Sequence, residues 1–210
     1  QVGECVFAGA RDRVVRFAGR LGRVVPRRAV EPLSLDLTLG EFRLTGRLTG
    51  LTPDGWVGYR LASMKANDYL NLWLHHLASN AVTPVGVGSC SHWIAEDQEV
   101  VLEPVANPHE TLRALLELYW RGTRRLLHFF PRSALAYVEK LGKDGDGERA
   151  LRAAQTEWAG SEYRQSRSER EDGYYRLAFR DTDPLDGEFV ELATAVFEPL
   201  FAHVRREAED

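Results

Sequence analysis

Apolar and polar positions change period along this chain, and the period places its elements. Leu33, Leu35, Leu37 and Leu39 alternate with Ser34, Asp36 and Thr38, and a period of two predicts a half-buried strand. Gly40-Glu41 interrupts the run. Phe42, Leu44 and Leu48 resume it around Gly46, which predicts a second strand at hairpin distance. Thr52-Pro53-Asp54-Gly55 is turn chemistry, because Pro presets φ and Gly allows it to be positive. Trp56–Ala62 predicts a third strand, apolar on both sides and therefore central. The period then turns helical: Leu70, Trp73, Leu74, Leu77 and Ala81 share one face behind a cap at Asn67 or Asp68. The expected unit is a three-strand meander closed by an amphipathic helix.

Helices are expected on either side of this unit. Arg11–Arg23 carries Val14, Phe17, Ala18, Leu21 and Val25 on one face and arginines on the other, and Pro26-Arg27-Arg28 ends it. The small residues Val85–Cys90 predict a buried strand or a sheet-edge bend, and Val100–Leu102 a short strand. Asn107–Arg121 has Asn107 as cap, Pro108 and Glu110 behind it, a stripe of Leu112, Leu115, Leu116 and Tyr119, and a stop at Gly122. Ser133 is expected to cap a short helix to Lys140, with Lys143–Gly147 as a mobile surface linker and Glu148–Trp158 as another helix. Ser161–Gly173 is dense in charge and reads as a solvated loop prone to disorder, before an apolar run from Tyr174 to Phe179. Asp183-Pro184 should open the last helix, with Phe189, Leu192, Ala193, Val196 and Leu200 buried and a kink at Pro199. The fold class is α/β, a central mixed sheet flanked by helices. The expected organisation is a basic lead-in helix over residues 1–30 and one domain with helical additions over 31–210.

Composition narrows the function classes. With 210 residues, 44% apolar and 28% charged, the chain suits a globular protein with a sizeable core. Its net charge of -4 argues against a surface that binds nucleic acid throughout. Seven arginines against Glu4 and Asp12 give residues 1–30 a local charge of +5, so a basic patch stays open. The two cysteines, Cys5 and Cys90, form no framework and read as free, buried thiols of a cytoplasmic protein. No apolar run approaches the ~18 residues that cross a bilayer, so no membrane partner is expected. The chain starts on Gln with no signal peptide and reads as a piece of something longer.

Most catalytic chemistry can be set aside. His75 and His76 are adjacent on one helix and point apart, unlike a chelating pair four residues apart. No Gly-x-Ser-x-Gly elbow occurs, and no dinucleotide fingerprint. Val85–Cys90 lacks the Gly-Lys-Ser/Thr of a phosphate loop, and Lys143–Gly147 lacks the carboxylates of a calcium loop. One frame fits better. Strand, turn, strand and helix is the order of the metal-dependent nuclease core, which places an Asp near the end of one strand and an (Asp/Glu)-x-Lys triplet on the next. There the carboxylates hold Mg²⁺, and the Lys assists the nucleophile. Here Thr49 stands where the first acid belongs. Taking Lys65 as the motif lysine puts Ser63 at the second acid, and the alternative register puts Arg60 there. Neither supplies a carboxylate, so no catalytic residue, metal or cofactor is expected. Asp36, Glu41 and Asp54 are the acids nearby from which an unorthodox metal site would have to be built.

The run Tyr59–Leu77 resembles the C-terminal domain of RecC, the gamma subunit of bacterial exodeoxyribonuclease V. Leu115–Gly122, His128–Pro131 and Tyr174–Arg180 support the likeness, which spans nearly the whole chain. These are scaffold motifs. The resemblance implies a restriction-endonuclease-like core that has lost its active site, with Thr49, Arg60 and Ser63 at the degenerate positions. It also implies a helicase–nuclease complex for double-strand break repair, with RecB-like and RecD-like subunits and a DNA end or fork as partners. Lys65, Arg121, Arg124, Arg125 and Arg132 are the expected phosphate contacts, since such groups add affinity without reading bases. The competing expectation is a protein-interaction scaffold that touches no DNA.

Overall fold

A computed structural model describes residues 2–25, 30–160, 168–180 and 182–205. The side chain of Cys5, residues 26–28, Arg206 and most of the 161–173 loop (161–167) lie outside the described residues. Contacts group the chain into two units, 1–114 with 203–210, and 115–202.

In the first unit the alternating leucines form the predicted hairpin of β1 (Leu33–Leu39) and β2 (Phe42–Leu48), paired antiparallel with Leu39 opposite Phe42. Gly40, at φ +64, leads the two-residue turn, a position that L side chains resist. The third strand does not join them. β3 (Leu51–Thr52), β4 (Gly55–Tyr59), β5 (Cys90–Ile94) and β6 (Glu99–Leu102) form a separate four-stranded sheet in that order. The cause is Gly50: at φ +76 it turns the chain after β2 and accepts from the Val57 N–H, so β3 takes the edge of β4 that a meander would give to β2. β4 and β5 are parallel and are joined through α2 (Ala66–Val82), a βαβ crossover. Gly55 admits no side chain, since a Cβ there would fall 1.9 Å from the Cys90 carbonyl oxygen.

The four-stranded sheet is covered on both faces. On one, α1 (Val2–Val24) packs Phe17, Leu21 and Val24 against Val57 and Ile94. The expected stripe is narrower than its sequence suggests, because Val14 and Ala18 are exposed. On the other face, Trp56 stacks on His75 of α2 at 4.5 Å and on Trp93 of β5 at 6.2 Å. Here the buried side of α2 differs from the expected one: Tyr69, Leu72, Trp73, His76, Leu77 and Asn80 face inward, and Leu74 is 48% exposed. The polar members are satisfied inside, which is why hydrophobicity alone misplaced the face. His76 Nδ1 meets Ser91 Oγ at 2.9 Å, His76 Nε2 meets the Glu103 carbonyl at 3.0 Å, and Asn80 donates to the Ser89 carbonyl at 2.9 Å. The cap of α2 is Lys65, with Asp68 in the first turn, where its carboxylate accepts the Lys65 N–H at 2.8 Å. The Val85–Gly86 turn is not a buried strand, for Val85 is fully exposed; the strand starts at Cys90, a free and half-buried thiol.

The second unit is helical. α3 (Pro108–Gly122) spans the junction, and of its expected stripe only Leu112 is buried; Tyr119 is 71% exposed. α4 (Pro131–Asp144) is longer than expected and starts from Phe130, not Ser133. Gly145 and Asp146 then make a tight corner, not a loose linker: Gly145 ends α4 at φ +67, and the Asp146 carboxylate caps α5 (Gly147–Ala159). Ser168 and Glu169, in the segment expected to be solvated, are buried, and the latter opens a 3-10 turn over Glu169–Glu171. α6 (Gly173–Phe179) holds the apolar run. α7 (Gly187–Ala202) begins later than Asp183-Pro184, with the Asp186 carboxylate accepting the Phe189 N–H at 3.1 Å, and continues through Pro199. Its buried face is the one predicted. Phe130 centres this core, 4.3 Å from Trp158 and 5.2 Å from Phe179.

Candidate functional site

At the end of β4 the backbone leaves the sheet between two helices. The Arg60 N–H still donates to the Ile94 carbonyl at 3.0 Å, and Glu96 N–H donates to the Ala62 carbonyl at 3.0 Å. This margin gathers three carboxylates, and each is engaged within the chain. Asp68, the one buried carboxylate of the first unit among the described residues, receives Arg60 Nη2 and the Lys65 N–H. Glu96 is held in two parallel bonds of 2.6 Å by Arg13 of α1, and this contact draws its pKa below the ordinary range. Asp97 accepts the Met64 N–H at 2.8 Å. A hard divalent cation needs several such oxygens converging and uncommitted. Among the described residues no group of three or more His, Cys, Asp or Glu is placed to hold a metal ion.

Thr49 and Ser63, the positions expected to be degenerate, do not face one another across paired strands. Thr49 follows β2, and its carbonyl accepts the Trp56 indole N–H at 2.8 Å. The Val57–Gly50 hydrogen bond sets Thr49 beside the Val57–Gly58 stretch of β4, whereas Ser63 lies beyond that strand, its carbonyl accepting Arg60 Nη2 at 2.7 Å. Arg60, which the second register would set at the acid position, closes a ring of contacts over Ser63 and Asp68. Of the nearby acids, Asp36 is paired across the hairpin with Arg43 at 2.7 Å.

The expected phosphate contacts fall in both units. Lys65 lies in the first, exposed and without an ion pair among the described residues. In the second, Arg121 and Arg125 both reach Glu188, at 3.6 Å and through two hydrogen bonds respectively. Arg124 lies 4.4 Å over the ring of Trp120. Arg132 Nη2 binds Glu157 at 2.8 Å, so it ties α4 to α5. Arg121, Arg124 and Arg125 thus stand on one basic turn beside exposed Tyr119 and Trp120. Those two rings were absent from the expected contacts because the helical period placed Tyr119 in the core; their signal was a Tyr-Trp pair directly preceding three arginines.

These features define an α/β domain with a βαβ crossover, a margin of internally hydrogen-bonded acids, and a helical companion bearing a basic and aromatic turn. The model of the RecC C-terminal domain family matches residues 1–142, and the chain belongs to that family. It is accordingly a RecC-type domain, from a subunit of the exodeoxyribonuclease V complex of DNA repair and recombination. The match ends inside α4, so Tyr174–Arg180 lies beyond it. Among curated proteins, none matches the chain. No described helix is long and apolar enough to cross a membrane.

Proposed function

We propose that this domain is a non-catalytic, nuclease-like module that guides or splits DNA within the cytoplasmic helicase–nuclease complex and contacts its RecB-like and RecD-like subunits. The observation that carries this reading is the internal commitment of Asp68, Glu96 and Asp97 at the strand margin where a nuclease would present free carboxylates. Thr49 and Ser63 are neutral and Arg60 is cationic where phosphodiester hydrolysis needs anionic oxygen. DNA contact then rests on Lys65 and on the basic turn of Arg121, Arg124 and Arg125, with Arg132 behind it.

The test uses the full chain. Linear DNA incubated with Mg²⁺ or Mn²⁺ should stay intact, and binding to a forked duplex should fall steeply with salt. Alanine at Lys65 and Arg124 together should reduce that binding; cleavage by the unaltered chain, or affinity that ignores salt, would overturn the reading. A second reading, a scaffold for proteins only, is favoured by one set of observations. Glu188 neutralises two of the five expected contacts, and Val6, Phe7, Val14 and Val15 of α1 are exposed. Capture of the partner subunits without any DNA affinity would select it.

A further inference from the structure

Between α5, the 3-10 turn and α6 lies a cleft of ≈ 730 Å³, wholly in the second unit and beyond the residues matched by the family. Among the described residues its rim carries Arg170, Arg176 and Arg180 against a single carboxylate, Glu171. Unlike Arg121, Arg125 and Arg132, these three arginines have no ion pair among the described residues. Its floor is aromatic. Trp158, Tyr175 and Phe179 pack around Phe130, with Trp158 and Tyr175 5.9 Å apart. Burial first, and then the charges of Glu169 and Asp172, push the Tyr175 phenol up to about 12, so its hydroxyl stays a donor.

We propose that this cleft binds a nucleotide unit, with the arginines on the phosphate and the aromatic floor against the base. Guanidinium forks match phosphate oxygens and gain most when no carboxylate already occupies them. The volume of this open cleft lies in the range of small-ligand sites. Aromatic side chains accept any base face, which suits a site without a base-reading pattern. An acidic peptide would satisfy the rim and leave the floor without a planar partner. The site does not depend on the DNA-guiding reading, which rests on other residues.

The experiment follows the Trp158 indole N–H by NMR in the full chain while a short oligothymidylate, thymidine monophosphate or hexaglutamate is added. Either nucleotide ligand should shift that resonance. A shift by the strand alone marks a strand site, and a shift by both shows that a free nucleotide suffices. Arg176→Ala with Arg180→Ala should weaken binding at least about tenfold, and lysine at both positions should restore part of it. Thermal unfolding of the variants serves as the control, and Arg170→Ala replaces the pair if they fail to fold. An unmoved Trp158 resonance, an equal shift with hexaglutamate, or unchanged affinity in the variants would overturn the proposal. Loss of DNA binding on changing Lys65 and Arg124 with Trp158 unmoved would sink this site and leave the DNA-guiding reading standing; the converse pair of results would do the reverse.

Discussion

The guanidinium of Arg60 closes onto the carboxylate of Asp68 across the turn that joins β4 to α2. Asp68 serves two masters, since the same oxygen accepts the Lys65 N–H that α2 would otherwise leave orphaned. Arg60 is half-buried, with a buried Nε that meets no acceptor, so its remaining bonds count for more. Asp68→Ala removes the helix-start acceptor and leaves a cation partly desolvated, and should cost about 2–3 kcal/mol. Asp68→Asn keeps an oxygen for Lys65 and should cost roughly half as much. Urea unfolding of the full chain measures both; equal stability of the alanine variant and the unaltered chain would refute this role.

His76 makes the stability of the first unit depend on pH. It is fully buried, and burial lowers its pKa to about 4 against the ordinary 6.5, with the Glu103 carbonyl opposing and His203 assisting. Nε2–H donates to that carbonyl, so Nδ1 accepts from the Ser91 hydroxyl, a neutral ring with both nitrogens used. The unfolded chain binds this proton more readily than the folded one. Stability is therefore complete above about pH 6.5 and falls as the pH drops toward 4, by roughly 3 kcal/mol in all. A pH series of unfolding midpoints should show that slope, and His76→Gln should flatten it. A slope unaltered by the substitution would assign it to other groups.

How much of this was legible beforehand depends on what each element had to satisfy. The β1–β2 hairpin was readable to the residue because its alternation and its Gly40 turn are both local. The meander was not, since nothing in Leu44–Leu51 announces that a positive φ at Gly50 will fold β3 back onto β4. β5 went unseen because Cys90, Ser91 and His92 look polar until His76 and Glu99 are there to receive them. The helix faces erred in the same way: α2 buries His76 and Asn80 in internal hydrogen bonds, while Tyr119 and Leu74 stay outside. For the candidate site, the lack of carboxylates at Thr49, Arg60 and Ser63 could be read directly. That Glu96, Asp68 and Asp97 are engaged by Arg13, Arg60 and Met64 could not, since two of those partners come from more than 30 residues away.

Glu169 is the counterpart of Asp68 in the second unit. Buried and far along the chain, its carboxylate accepts the Arg132 N–H at 3.0 Å, the Ser133 N–H at 2.8 Å and the Ser133 hydroxyl at 2.7 Å. It thus caps α4 from outside, at the end where the helix dipole favours negative charge. Glu169→Ala strands those donors and should cost about 3 kcal/mol, and Ser133→Ala, which removes one bond, about 1 kcal/mol. In the double variant the serine change should add nothing, because its partner is already gone. Strict additivity in urea unfolding would show that the two do not act through one contact.

Glu188 decides how much of the basic turn is free to meet phosphate. It holds Arg125 through two hydrogen bonds and draws Arg121 to 3.6 Å, and Arg125 foremost keeps the Glu188 pKa below the ordinary carboxylate range. These pairs lie at the surface, so breaking them should leave stability nearly unchanged. Their effect on binding is larger, for each guanidinium released from a carboxylate can displace a counterion from DNA. Glu188→Gln should therefore tighten DNA binding several-fold at low salt and steepen the dependence of log affinity on log salt by about one to two units. The gain should vanish when Arg121 and Arg125 are also made alanine. Fluorescence anisotropy with a forked duplex, at several salt concentrations, gives both quantities. An unchanged slope in Glu188→Gln would mean that this turn faces a partner other than DNA.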